Sequence, residues 1–231
     1  MNARYLAIAK NPQIIAGVHH YCDEWCDYCP VTSRCLAFRC TEEFRRQQGR
    51  TAADPTFASM DEAIQFTREL SAIEGVRTDE LDALVSHPHG LSGVNTSDPL
   101  AGMAWAYAER AAVLLAPVTP QILMASPRTS PSPEEVLLWY HLRIYMRVFR
   151  ALVSAETHSG GAECDEARGC AKLSLVSIDR SRRALRSLYT IARNEEVEAL
   201  IALLDGLERG LEARFPKARA FGRVGLDYLV A

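Results

Sequence analysis

Apolar residues recur at three- and four-residue intervals along most of this chain, and strict alternation is nearly absent. That period predicts amphipathic helices rather than strands. Helix starts are marked by side chains able to satisfy the first unpaired backbone N–H groups. Ser59-Met60-Asp61-Glu62 is a capping box that predicts a helix over residues 60–74, ended by Gly75. A shorter helix over 79–86 would stop before Pro88. Asp98-Pro99 pairs a cap residue with a first-turn proline, and Leu100, Met103, Ala104, Tyr107, Ala111 and Leu114 then share one face. Pro117 closes that helix, and four prolines make residues 117–131 a connector.

Ser132-Pro133-Glu134-Glu135 combines cap, proline and capping-box glutamate, and predicts a helix to about residue 155. Leu137, His141, Ile144, Val148 and Leu152 form its apolar stripe, while Arg143, Arg147 and Arg150 form a basic stripe on another side. Residues 156–169 read as a polar loop, and a helix from about 170 to 192 follows. Asn194 caps the last helix, with Val197, Leu200, Ile201, Leu204, Leu207 and Leu211 at helical spacing and Pro216 at its end. The tail, with two glycines, reads as an irregular packed segment. The expected fold is all-α: a helical bundle of about five to six helices in a single domain over residues 1–231, with a cysteine-rich segment over 1–50 packed on it.

Length and charge narrow the functional classes. A chain of 231 residues can bury a core without a metal or disulfide staple, so a metal would need a reason other than folding. A net charge of −3 argues against a general polyanion binder, which makes nucleic acid an unfavoured partner while leaving room for a local basic patch. No apolar run is long enough to span a membrane, and the N-terminus lacks the pattern of an export signal, so the cytoplasm is expected.

In that reducing compartment the cysteines change the picture. Five of the seven lie between residues 22 and 40. Cys22, Cys26, Cys29 and Cys35 have the spacing C-x3-C-x2-C-x5-C. The central C-x2-C pair can place two thiolates on one metal, and Pro30 breaks the chain so that Cys35 can return to the same point. Tyr21, Trp25, Tyr28 and Phe38 supply aromatic cover. The competing reading puts Cys22, Cys26 and Cys29 at i, i+4 and i+7 on one buried helix face. Four thiolates suit either zinc or a [4Fe–4S] cluster, and the compact single span favours iron–sulfur. Cys40 reads as a free thiol, and His19 and His20 as surface or capping histidines rather than ligands. Cys164 and Cys170 are too far away in sequence to assign.

Three resemblances bear on the cluster. The C-x2-C-x5-C part resembles the cluster loop of the endonuclease-type DNA glycosylases. Their further upstream cysteine is His19 here, and their helix–hairpin–helix and catalytic residues are absent, so that function does not carry over. Cys22-x3-Cys26-x2-Cys29 matches the radical S-adenosylmethionine signature in spacing, without that family's β/α barrel context. Over most of its length the chain resembles an uncharacterised bacterial family of all-helical proteins. The shared pieces are Tyr21-Cys22-Asp23, Trp25-Cys26, Cys29 and Arg34-Cys35, then Trp139-Tyr140, Arg150-Ala151-Leu152, Ala171-Lys172, Ile178-Asp179-Arg180-Ser181 and Phe215-Pro216. That family has Ser where Cys170 stands. The resemblance implies that the four cysteines belong together and that Trp139, Tyr140, Lys172, Asp179 and Arg180 gather near them.

Three functions follow as expectations. The first is a metal-binding protein with a redox or sensory role and a redox or protein partner. The second is an enzyme with a pocket of Trp139, Tyr140, His141, Lys172, Asp179 and Arg180 beside a purely structural zinc. The third is a nucleic-acid or protein adaptor using the Arg182/Arg186 face. The di-iron Glu-x-x-His motif and the common nucleotide, hydrolase and zinc-protease motifs are absent.

Overall fold

The computed structural model describes residues 2–51, 54–75, 98–124, 129–158, 160–191 and 194–227. Among them the chain forms eight α-helices and no strand, the all-α fold that the periodicity predicts. The helix count exceeds the expected five to six, because helices also form over Ala3–Ala9, Leu36–Gln47 and Thr119–Met124, beyond those expected from the sequence. The expected helix over 79–86 lies outside the described residues. The chain divides into two compact units, Met1–Gly93 with Gly222–Ala231, and Val94–Phe221.

The first unit holds α1 (Ala3–Ala9), α2 (Leu36–Gln47) and α3 (Met60–Ile73). Asn2 caps α1, its side chain accepting from the Arg4 N–H. Leu36, Cys40 and Phe44 lie four residues apart on α2 and form its buried face. They pack with Tyr5 of α1 and Phe66 of α3. Phe66 stands edge-on to Tyr5 at 5.8 Å and to Phe44 at 5.4 Å. Such pairs add about 1 kcal/mol each beyond simple burial. Ser59 accepts from the Glu62 N–H at 3.2 Å, as the capping box predicts. Glu62 returns instead to the Ala58 N–H and to Arg50, whose guanidinium it takes with both oxygens. The pull of that cation explains why the box closes one residue early.

The second unit holds α4 (Pro99–Leu115), α5 (Thr119–Met124), α6 (Pro133–Thr157), α7 (Asp165–Ile191) and α8 (Glu195–Arg214). Helix α6 packs along α7 and α4, and α8 packs on α4 and α7, making a four-helix bundle with α5 at its edge. Ser132 and Glu135 form the full reciprocal capping box at the start of α6. Tyr107, Leu137, Tyr140, Ile144, Leu175, Ile178, Leu185, Leu200 and Leu204 are wholly buried. Leu100 of α4 lies against Gly210 of α8, where an added methyl group would come within 2.3 Å of the Leu100 Cδ2 and make that side chain shift.

Two boundaries differ from the expectation. The proline-rich connector contains α5, whose Thr119 hydroxyl donates to the Leu115 carbonyl and carries the helical turn past Pro117. Helix α7 starts at Asp165 rather than near residue 170, since the Cys164 sulfur accepts the Ala167 N–H at 3.3 Å and serves as its cap. The loop between α6 and α7 is correspondingly short.

Candidate metal centre

The cysteine segment lies in the first unit between α1 and α2. No helix runs through residues 22–29, so the reading of Cys22, Cys26 and Cys29 as one helix face is not how the chain folds. Cys22 sits in a bend, Cys26–Tyr28 form a single 3₁₀ turn, and Thr32–Arg34 form another. The first turn closes when the Cys29 N–H donates to the Cys26 carbonyl at 3.2 Å. Pro30 then redirects the chain, and the Cys35 N–H donates to the Thr32 carbonyl at 3.1 Å. Cys35 is the residue from which α2 departs.

Beneath these turns Ile15, Val18 and Cys35 are buried together, with Val31, Phe38 and Leu226 packed against them. The Ile15 N–H donates to the Arg34 carbonyl at 2.9 Å, and Arg34 Nε donates to the Gln13 carbonyl at 3.0 Å, so the two ends of the segment are tied. Trp25 and Tyr28 meet edge to face at 4.8 Å.

The chain's C-terminal part completes the support. Arg223 is buried and reaches Asp23, the neighbour of Cys22, at 3.2 Å. Its other guanidinium nitrogens hold Asp227. Gly225 has φ +71°, and a methyl group there would stand 3.0 Å from Ile15 and 3.2 Å from Val18. Only glycine fits both the left-handed backbone and the gap.

The four thiols share one electrostatic neighbourhood. Burial pushes Cys22 up to about 11, opposed by the Glu24 amide and reinforced by Cys35, Glu24 and Asp23. Cys26 also rises to about 11: neighbouring groups partly desolvate its sulfur although the residue is exposed, and Cys22, Cys35, Cys29 and Asp27 add to the rise. Burial raises Cys35 too, while the Phe38 and Ala37 amides at the head of α2 pull the other way and Cys29 and Glu74 add to the rise. The Glu24 N–H donates to the Cys22 sulfur at 3.3 Å. Glu24 takes φ +60° to do so, an arrangement costing on the order of 1 kcal/mol for a residue with a side chain. Amides aimed at sulfur stabilise thiolate once a cation compensates the burial. None of the seven cysteines is in a disulfide.

His20 is exposed, as expected, and His19 is half-buried. His19 and His20 both turn Nε2 to the same oxygen of Glu74, at 3.3 and 3.2 Å, with their rings 4.5 Å apart. Burial pushes the Glu74 carboxyl up, but hydrogen bonds and charge from His19 and His20 outweigh it and leave the group below its ordinary range. Among the described residues, this trio has donor atoms that all lie within 4.8 Å of one another, and the four cysteine sulfurs contain no such trio. Sequence reading missed Glu74 because it follows α3, far along the chain from the histidines, and no local motif marks it.

Other residues singled out in the sequence lie in the second unit. Tyr140 is wholly buried, and its hydroxyl accepts from Arg180. Trp139 stacks under Arg143 at 3.7 Å. The His141 ring donates from Nδ1 to the Leu138 carbonyl at 2.9 Å, in its own helix. Lys172 donates to the Arg219 carbonyl, and Arg219 and Arg182 both hold Asp179. Arg182 is further engaged by Asp205 and Glu208, so carboxylates of α8 balance this part of the basic face. Cys164 caps α7, Cys170 donates to Glu166, and Cys40 is a core residue of α2 that burial raises to about 12.

The fold and site together define an all-α chain with a thiol-rich candidate metal centre. No described helix is long and apolar enough to cross a membrane. Comparison with protein-family models, curated proteins and solved structures finds no match to this chain.

Proposed function

We propose that this protein binds a [4Fe–4S] cluster through Cys22, Cys26, Cys29 and Cys35 and serves a redox or sensory role in the cytoplasm. The observation that supports this reading is that the four thiols lie on two successive turns of one short span, one closed from Cys29 to Cys26 and the next from Cys35 to Thr32. The compact single span of the four cysteines favours iron–sulfur over zinc, whose structural sites usually draw on two separated knuckles. Such a cluster supplies reversible one-electron transfer, with a potential set by hydrogen bonds to sulfur and by solvent exposure. The Glu24 amide on Cys22 and the α2 amides beside Cys35 would supply the first control, and the exposure of Cys26 the second.

Anaerobic purification followed by iron, sulfide and zinc analysis tests the reading. The expected result is brown protein with about four irons and four sulfides per chain. Cys26→Ser should bleach it, while Cys164→Ser in the other unit should not. Colourless protein carrying one zinc per chain, or none, would overturn it.

A further inference from the structure

We propose that His19, His20 and Glu74 form a second, separate site for one divalent transition-metal ion. Two imidazoles and one carboxylate on one side of an ion form the set that binds zinc or ferrous iron while leaving coordination positions open. The distances suit it. Zinc–nitrogen and zinc–oxygen bonds of about 2.1 Å place neighbouring ligand atoms ~3.4 Å apart in a tetrahedron. Here the two nitrogen–oxygen separations are 3.3 and 3.2 Å. The site is buried on one side and open on the other, since His19 and Glu74 are 15% and 16% exposed and His20 is 48% exposed.

Without a cation, both imidazoles converge through Nε2 on a single Glu74 oxygen. An ion held by both Nε2 atoms and that oxygen replaces the convergence with three ligand bonds. Gly17, at φ +70°, makes the turn that precedes the two histidines.

Equilibrium dialysis of the full-length protein, as purified with its native metal, against Co(II) is the test. The expected result is uptake of one cobalt ion per chain, with two hyperfine-shifted imidazole N–H signals and no sulfur-to-cobalt charge-transfer band. His20→Ala, at an exposed position, and Glu74→Gln should each weaken cobalt binding at least tenfold. Neither should alter the native metal content or the helical circular dichroism. Failure to take up cobalt, a thiolate charge-transfer band, or unchanged affinity in both variants would overturn the proposal. Because native metal content is read separately, loss of the cysteine centre and loss of this site are distinguishable.

Discussion

The two units bury their interiors differently. In the second, four long helices enclose Tyr107, Leu137, Tyr140, Ile144, Leu175, Leu200 and Leu204, all fully removed from water. At about 2 kcal/mol for each large apolar side chain, such a core favours folding without help. In the first, an aromatic cluster around Phe66 serves α1, α2 and α3, and only Ile15, Val18 and Cys35 are buried beneath the cysteine turns. Those turns depend on individual polar links: Ile15 to Arg34, Glu24 to Cys22, and Arg223 to Asp23. A chain of this length can do without a metal staple where the long helices are, whereas a segment with so little apolar interior gains stability from one. The contrast teaches that the part of the molecule carrying reactive groups is also the part held least by packing.

The largest test of this contrast is removal of metal. Chelation should strip protection from residues 14–35 in hydrogen exchange and leave α4, α6, α7 and α8 unchanged. Equal loss in both units would break the comparison. Next is Arg223→Ala, which removes the buried cation facing Asp23 and Asp227. It should cost the first unit about 3–5 kcal/mol, measured by denaturation with Trp25 fluorescence in a Trp105→Phe/Trp139→Phe background. Leu204→Ala opens a cavity in the bundle instead and should cost about 2–5 kcal/mol, read by helical circular dichroism. Ser132→Ala loses one reciprocal cap of α6 and should cost about 1 kcal/mol in the same assay.

The smallest effect is expected from acid. Hydrogen bonds from Arg46, Gln47 and Arg4 hold the Glu43 carboxyl down at about 2, against an ordinary 4.5. Its folded pKa lies below its unfolded one, so its stabilisation is complete above 4.5 and is lost as pH falls from there toward 2. The first unit's denaturation midpoint should decline over that window, and Glu43→Gln should flatten part of the decline.

Much of the bundle could be read before folding because its signals are local. Ser59, Asp98, Ser132 and Asn194 each cap the helix that their sequence context predicts. Helix α5 was not legible, since its prolines read as a connector. The early start of α7 was hidden because a cysteine is an unusual cap. His141 shows the limit of a stripe: it shares a face with Leu137 and Ile144 yet stays half-exposed, while Tyr140 next to it is the wholly buried residue.

By itself the sequence determined the helical class, the four helix starts marked by Ser59, Asp98, Ser132 and Asn194, and the spacing that brings Cys22, Cys26, Cys29 and Cys35 within a short stretch of chain. Each of these depends on groups a few residues apart, where backbone geometry leaves little choice. Tertiary structure decided what stands around that stretch. Glu74 arrives from the end of α3, and Arg223 and Gly225 arrive from the far end of the chain. Such meetings depend on which surfaces can be buried together, and a reading of neighbours along the chain does not contain that information.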